Sequence, residues 1–139
     1  MDYEIDLKKY ADFFHDGILY SITTFNDGCN MKMSSAELVS DDIETGMKLS
    51  MKNTIVGFLH LSGIKHILID SNHRCLGDFF KEFDEGTILD FEFSDTEIDL
   101  GIQWENYPPK PWTNKFSTIK IKADRIWWEN IPNLIDPVI

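Results

Sequence analysis

The sequence predicts a mainly β domain, α+β at the margin, built as an antiparallel β-sandwich or open barrel with one or two short helices. Three observations carry this expectation. Large apolar residues alternate with polar ones along Ile88–Phe93, Ile98–Trp104 and Ile119–Asp124, the period of strands with one face on a core and the other in solvent. Candidate strands recur about every ten residues with short turns between them, which favours antiparallel pairing over a β/α alternation. Many of the outward positions are carboxylates, so the charge itself follows the strand period. At 139 residues the chain is expected to be one domain spanning 1–139. A domain of that size buries roughly two thirds of its unfolded surface, so no disulfide or metal is needed to complete a core.

Taken in order, Ile5, Tyr10, Phe13 and Phe14 stand at loosely helical spacing and predict a short opening helix or turn over Tyr3–Phe14. Ile18–Phe25 is rich in β-branched and aromatic residues, and Asn26-Asp27-Gly28 supplies left-handed turn chemistry. With Asp27-Gly28 as a two-residue loop, Ile22 opposes Met33, Thr24 opposes Met31 and Tyr20 opposes Ser35, and the large side chains share one face. Ser40–Gly46 reads as a solvated loop before a strand bearing Met47, Leu49 and Met51. Ile55–Leu61 and Ile64–Ile69 flank Ser62-Gly63 and read as a hairpin with apolar residues on both faces. Phe79, Phe80 and Phe83 fit one face of a short helix between Gly77 and Gly86, with Lys81, Glu82, Asp84 and Glu85 outward. The hairpin around Ser94-Asp95-Thr96-Glu97 pairs Phe93 with Ile98, Phe91 with Leu100 and Leu89 with Ile102. After the proline-rich loop from Tyr107 to Trp112, a last strand points Ile119, Ile121 and Ala123 inward and Lys120, Lys122 and Asp124 outward. An aromatic tail broken by Pro132 and Pro137 follows.

The balance of charge excludes some partners. There are 24 Asp and Glu against 13 Lys and Arg, a formal charge of −11. Such a chain is repelled by nucleic acid and by anionic membranes, whereas a basic protein remains a suitable partner. Cys29 and Cys75 form no C-x-x-C pair and read as two small buried thiols. The start of the chain shows no basic region followed by an apolar run, and no stretch reaches the ~18 apolar residues of a membrane helix, so a cytoplasmic location is expected. No cofactor is implied, and a monomer and a homodimer are equally compatible with the pattern.

Several constellations have chemical potential. The hairpin register sets Glu92 directly opposite Asp99, about 5 Å away. At effective dielectrics of 20 to 80 that repulsion is roughly 1–3 kcal/mol, which Lys120 and Lys122 on a neighbouring strand would offset. The alternative is that Asp90, Glu92, Glu97 and Asp99 form an acidic face kept for a cationic partner. His15, Asp16 and Glu37 are brought near one another by the first hairpin register and form a candidate polar cluster, although Asp before Gly is ordinary turn chemistry. His60, His66, Asp70, His73 and Cys75 fall close together, but the two histidines flanking the Ser62-Gly63 turn would project to opposite faces, and no metal site is expected. Trp104, Tyr107, Trp112, Trp127 and Trp128 gather in the C-terminal third. Adjacent Trp127 and Trp128 cannot both point inward from one strand, so one of the pair is the candidate apolar anchor. No catalytic residue has motif support.

Phe14-His15-Asp16-Gly17 followed by an alternating strand, Ser35-Ala36-Glu37-Leu38, Leu59-His60-Leu61-Ser62-Gly63-Ile64 and Trp127-Trp128-Glu129-Asn130-Ile131-Pro132 are spread over most of the chain. In these segments it resembles a group of small acidic bacterial proteins with an F-H-D-G opening strand, some of them grouped with immunity proteins of polymorphic toxin systems. The resemblance implies a cytosolic, non-enzymatic protein that binds and blocks a toxin, and it supplies no catalytic residues. The leading expectation is therefore a protein-binding domain that receives a basic partner on Asp90, Glu92, Glu97 and Asp99, with Trp127 or Trp128 as anchor. A small-molecule-binding barrel lined by Leu89, Phe91, Leu100 and Ile102 is the alternative, and a hydrolase using His15, Asp16 and Glu37 is a third.

Overall fold

The structure is a computed structural model that describes residues 4–5, 7–38 and 48–135. Its strands are β1 (Glu4–Ile5), β2 (Ile18–Thr24), β3 (Gly28–Ser34), β4 (Val56–Ile69), β5 (Asn72–His73), β6 (Glu85–Phe93), β7 (Glu97–Glu105) and β8 (Phe116–Asn130). A 3-10 helix covers Leu7–Phe14 and one short α-helix, α1, covers Leu76–Phe80. The fold is mainly β, as the alternation predicts. It is a barrel, closed where an open one was expected: six antiparallel strands run in the order β8-β7-β6-β2-β3-β4, and the β4–β8 pairing shuts the ring. Closure removes the free edges that an open sheet would have to protect.

The strand most unlike its expectation is β4. Ser62-Gly63 is no hairpin turn, because a single 14-residue strand runs through it. Gly63 adopts φ +68°, and a register shift between Ile64 and His66 bends the strand there. The Ile64 N–H leaves the ladder and donates to the Asp27 carbonyl at 2.7 Å. The turn chemistry of Ser62-Gly63 is thus spent on a bulge. Before the bend β4 pairs with β3, and over its full length it pairs with β8.

Two more bulges correct the expected registers. In the first hairpin Phe25 N–H donates to Gly28 O at 2.8 Å, so Asn26-Asp27 is the loop and the ladder slips by two residues. Ile22 pairs with Met31 and Thr24 with Cys29, and a bulge at Tyr20 then sets Leu19 against Met33 and Ile18 against Ser34. A slip of two keeps every side chain on its face, which is why the apolar pattern did not distinguish the two registers. In the β6–β7 hairpin Phe93 pairs with Ile98, Glu92 with Asp99 and Phe91 with Leu100 as expected. A bulge at Leu89 puts Ile88, rather than Leu89, opposite Ile102. The expected strand through Leu49 and Met51 is absent: residues 48–55 form turns, with Asn53 at φ +61° and Met51 exposed. Met47, Ser40–Gly46 and Pro137 lie outside the described residues.

Leu19, Met31, Met33, Leu59, Ile88, Ile102, Trp104 and Ile119 fill the interior and have no accessible surface. They form one contiguous cluster of buried side chains. Phe91 and Leu100 are buried beside them, and Leu89 is only half-buried. Of the four residues expected to line a ligand cavity, Phe91, Leu100 and Ile102 thus belong to the core and Leu89 does not. The 3-10 helix inserts Phe14 edge-on between Phe91 (5.2 Å) and Trp128 (5.6 Å). Around α1, Phe79 meets Trp104 at 5.6 Å and Phe83 stacks on it at 4.6 Å. The Trp104 indole N–H, buried with its ring, donates to Ser117 Oγ at 2.9 Å.

Candidate protein-binding face

Alternation along β7 turns Glu97, Asp99, Gly101 and Glu105 outward, and the neighbouring strands place Glu92 and Asp90 on one side and Lys120 and Lys122 on the other. Lys122 is paired across the ladder with Glu97 and Lys120 with Asp99. Their charged atoms are 4.0 and 3.9 Å apart, and all four side chains are more than half exposed. Each such pair stabilises the sheet by about 0–1 kcal/mol. The lysine ladder thus offsets part of the Glu92–Asp99 repulsion. Among the described residues neither Asp90 nor Glu92 has an ion-pair partner, so the face keeps an excess of negative charge.

Gly101 gives this face relief. It lacks a side chain where Asp90, Phe116, Thr118 and Lys120 rise around it, and a Cβ there would meet Asp90 Oδ2 at 3.1 Å and the Phe116 ring at 3.2 Å. The result is an open groove of about 260 Å³ bordered by Asp90, Glu92, Asp99 and Lys120. A second groove of about 190 Å³ continues it towards His66 and Glu97.

The expected apolar anchor divides cleanly. Trp128 is in the core at 1% exposure, with its indole N–H on Asn130 Oδ1 at 3.3 Å, so it is withdrawn from the surface set. Trp127 points outward and is half-buried, stacked on His60 at 5.0 Å with the Arg125 guanidinium 4.3 Å from its ring centre. His60 is bracketed: Nδ1 lies 2.6 Å from Asn30 Oδ1 and Nε2 lies 2.8 Å from Glu129 Oε1. This cluster joins β3, β4 and β8, and the sequence offered no sign of it because its members are scattered over three elements.

The most exposed large aromatic among the described residues is Trp112, at 79%. It was one of five aromatics noted around the proline-rich loop, and its prolines were the only signal that could have singled it out. Its loop is rooted at both ends. Asn106 accepts from Asp84 N–H at 3.0 Å and donates to the carbonyls of Glu82 and Pro111. Tyr107 N–H donates to Asp84 Oδ2 at 2.6 Å, and the Lys110 ammonium donates to the carbonyls of Lys81 and Phe83 and pairs with Asp84 at 3.4 Å. The Tyr107 backbone bond, aided by Lys110, holds the Asp84 carboxyl below its ordinary pKa. The Tyr107 hydroxyl lies 2.5 Å from Glu85 and 3.1 Å from Glu105, and these two acceptors push its pKa up.

The remaining candidates are dispersed. His15 and Asp16 touch each other at 3.2 Å but are both mostly exposed, and Asp16 occupies a left-handed turn at φ +69°. Ile18 pairs with Ser34 instead of Glu37, so the register that was to carry Glu37 towards them does not form; Glu37 is exposed. His66 and His73 have ring centres 6.2 Å apart, Asp70 binds Thr118 N–H and Lys115, and Cys75 is a free exposed thiol. No group of three His, Cys, Asp or Glu among the described residues is arranged to hold a metal ion. Cys29 is buried in the core, which raises its thiol to about 12. No helix among the described residues is long and apolar enough to cross a membrane. Comparison with family models, with curated proteins and with solved structures finds no match to this chain.

Proposed function

We propose that this chain is a non-enzymatic protein-binding domain whose outer β6–β7–β8 face receives a basic protein, in the manner of an immunity protein that covers a basic toxin. One observation carries the reading: Asp90 and Glu92 stand on a grooved face beside Glu97 and Asp99, and two lysines leave that face net negative. Opposed like charges cost stability in the free protein, and a cationic partner removes that cost on binding. Such a surface speeds encounter with a positive partner and repels acidic ones.

Affinity capture with the tagged protein from lysate of its source organism, followed by titration of the purified partner at low and high salt, tests it. The expected result is a basic protein whose affinity falls with salt and falls again with Asp90→Lys plus Glu92→Lys. A partner held equally by that double variant, or recovery of no partner by the folded protein, overturns the reading.

A further inference from the structure

Trp112 exposes almost four fifths of its side chain to water, although the chain that carries it is held in place. A single exposed aromatic on a loose loop needs no explanation, since the loop can fold it down or let it wander. Here that freedom is missing. Besides the bonds from Asn106, Tyr107 and Lys110, the far side of the loop is tied by Trp104 N–H and Gln103 Nε2 to the Lys115 carbonyl, at 2.9 and 3.2 Å, and by Lys115 to Asp70 at 3.6 Å. Both flanks of the loop are thus tied down in the free protein. An anchor presented in this way binds with a smaller ordering penalty than one on a loose loop.

The charge around the loop identifies what it meets. Its root, Glu105, lies on the same outward register of β7 as Asp99 and Glu97, with the uncharged Gly101 and Gln103 between them. Glu85 and Glu105 are direct cross-strand neighbours at that root, and among the described residues neither has an ion-pair partner. Lys81, Lys110 and Lys115 do not answer them, because each is paired with another carboxylate: Asp78, Asp84 and Asp70. A second copy of this chain, with its own charge of −11, is disfavoured at such a place.

We infer that Trp112 is the preformed aromatic anchor of the binding face and takes an arginine side chain of the basic partner, the guanidinium stacking on the indole beside the Glu85 and Glu105 carboxylates. The inference rests on the protein-binding reading and places the apolar contact at the β7–β8 loop instead of at Trp127. Arginine suits the position because its planar cation stacks on tryptophan and is less strongly hydrated than an ammonium.

A short peptide of alternating arginine and serine, with lysine–serine and glutamine–serine peptides as comparators, is titrated into the native protein while the indole N–H signals are followed by NMR. The Trp112 signal is expected to move first, with arginine binding tighter than lysine and glutamine not binding. Trp112→Ala is expected to weaken the arginine peptide by roughly tenfold and Trp112→Phe by less. Trp112 is exposed enough that neither change should alter folding. An unchanged affinity in Trp112→Ala overturns the inference; if Asp90→Lys plus Glu92→Lys still weakens binding in that case, the acidic-face reading survives without it. Absence of peptide binding to the native protein also overturns the inference, and leaves capture of the partner to judge the reading.

Discussion

Glu129 lies 2.8 Å from the His60 imidazole across the β4–β8 ladder, with both side chains about one fifth exposed. Asn30 holds the other ring nitrogen from β3, so one histidine ties together three strands of the barrel. His60→Ala leaves Asn30 and Glu129 facing a gap and strips the stacking partner from Trp127. Hydrogen bonds involving a charged group are worth about 1.5–3 kcal/mol, and a loss in that range is expected by urea denaturation. A change below ~0.5 kcal/mol would show the cluster to be incidental.

Trp127 and Trp128 are neighbours in sequence and opposites in environment. Trp128→Ala should cost about 3–5 kcal/mol, since it empties a core site against Phe14. Trp127→Ala should cost clearly less, because only part of the ring is covered. Thermal melts of the two variants side by side measure the difference, and equal losses would contradict the assignment of one ring to the core and the other to the outside.

Much of this was readable because strand period is a local property. The inward rows of β6, β7 and β8, the Glu92–Asp99 opposition and the lysines beside it all follow from counting by twos. Bulges escaped because each inserts one residue at a place that a smooth alternation does not mark, as at Tyr20 and Leu89. Gly63 misled for a related reason: a left-handed glycine serves a bulge as well as a turn, and only the bond from the next residue's N–H, Ile64, to Asp27, far away in the chain, decides between them. The acidic face was legible as a face. The His60 cluster and the bracing of the loop around Trp112 were not, since both depend on hydrogen bonds between distant segments.

At Gly57 the backbone of β8 lies directly where a side chain would stand. A Cβ at this position would sit 1.9 Å from the Glu129 carbonyl oxygen, which is backbone and cannot swing aside. Gly57→Ala should therefore force the two strands apart and destabilise the protein by at least about 3 kcal/mol, at or beyond the upper end of ordinary overpacking. Expression of the variant with chemical denaturation checks this; a native-like midpoint would mean that the ladder has slack.

The loop that carries Trp112 should respond to acid before the barrel does. Asp84 has its pKa lowered by the Tyr107 N–H and Lys110, so its contribution is complete above its ordinary pKa of 3.8 and is lost as pH falls through the lower folded value. The protection factor of the Tyr107 amide, its exchange rate corrected for the intrinsic rate at each pH, should therefore fall at acid pH with the core amides still protected. Asp84→Asn should produce the same local loosening at neutral pH. If Tyr107 exchanges together with the core in both experiments, the loop is not an independently braced unit.

Because β8 supplies the pairing that shuts the barrel, closure waits for the last of the six strands to be synthesised. While the ribosome is still adding β8, β4 and β7 have each lost the neighbour that would cover one side, and their backbone groups are open to other chains. The ladder that resolves this joins segments far apart in sequence, which places folding in the slow range of contact-order behaviour. Until β8 is in place the ring is incomplete, and that interval is when this protein is most exposed to misassociation.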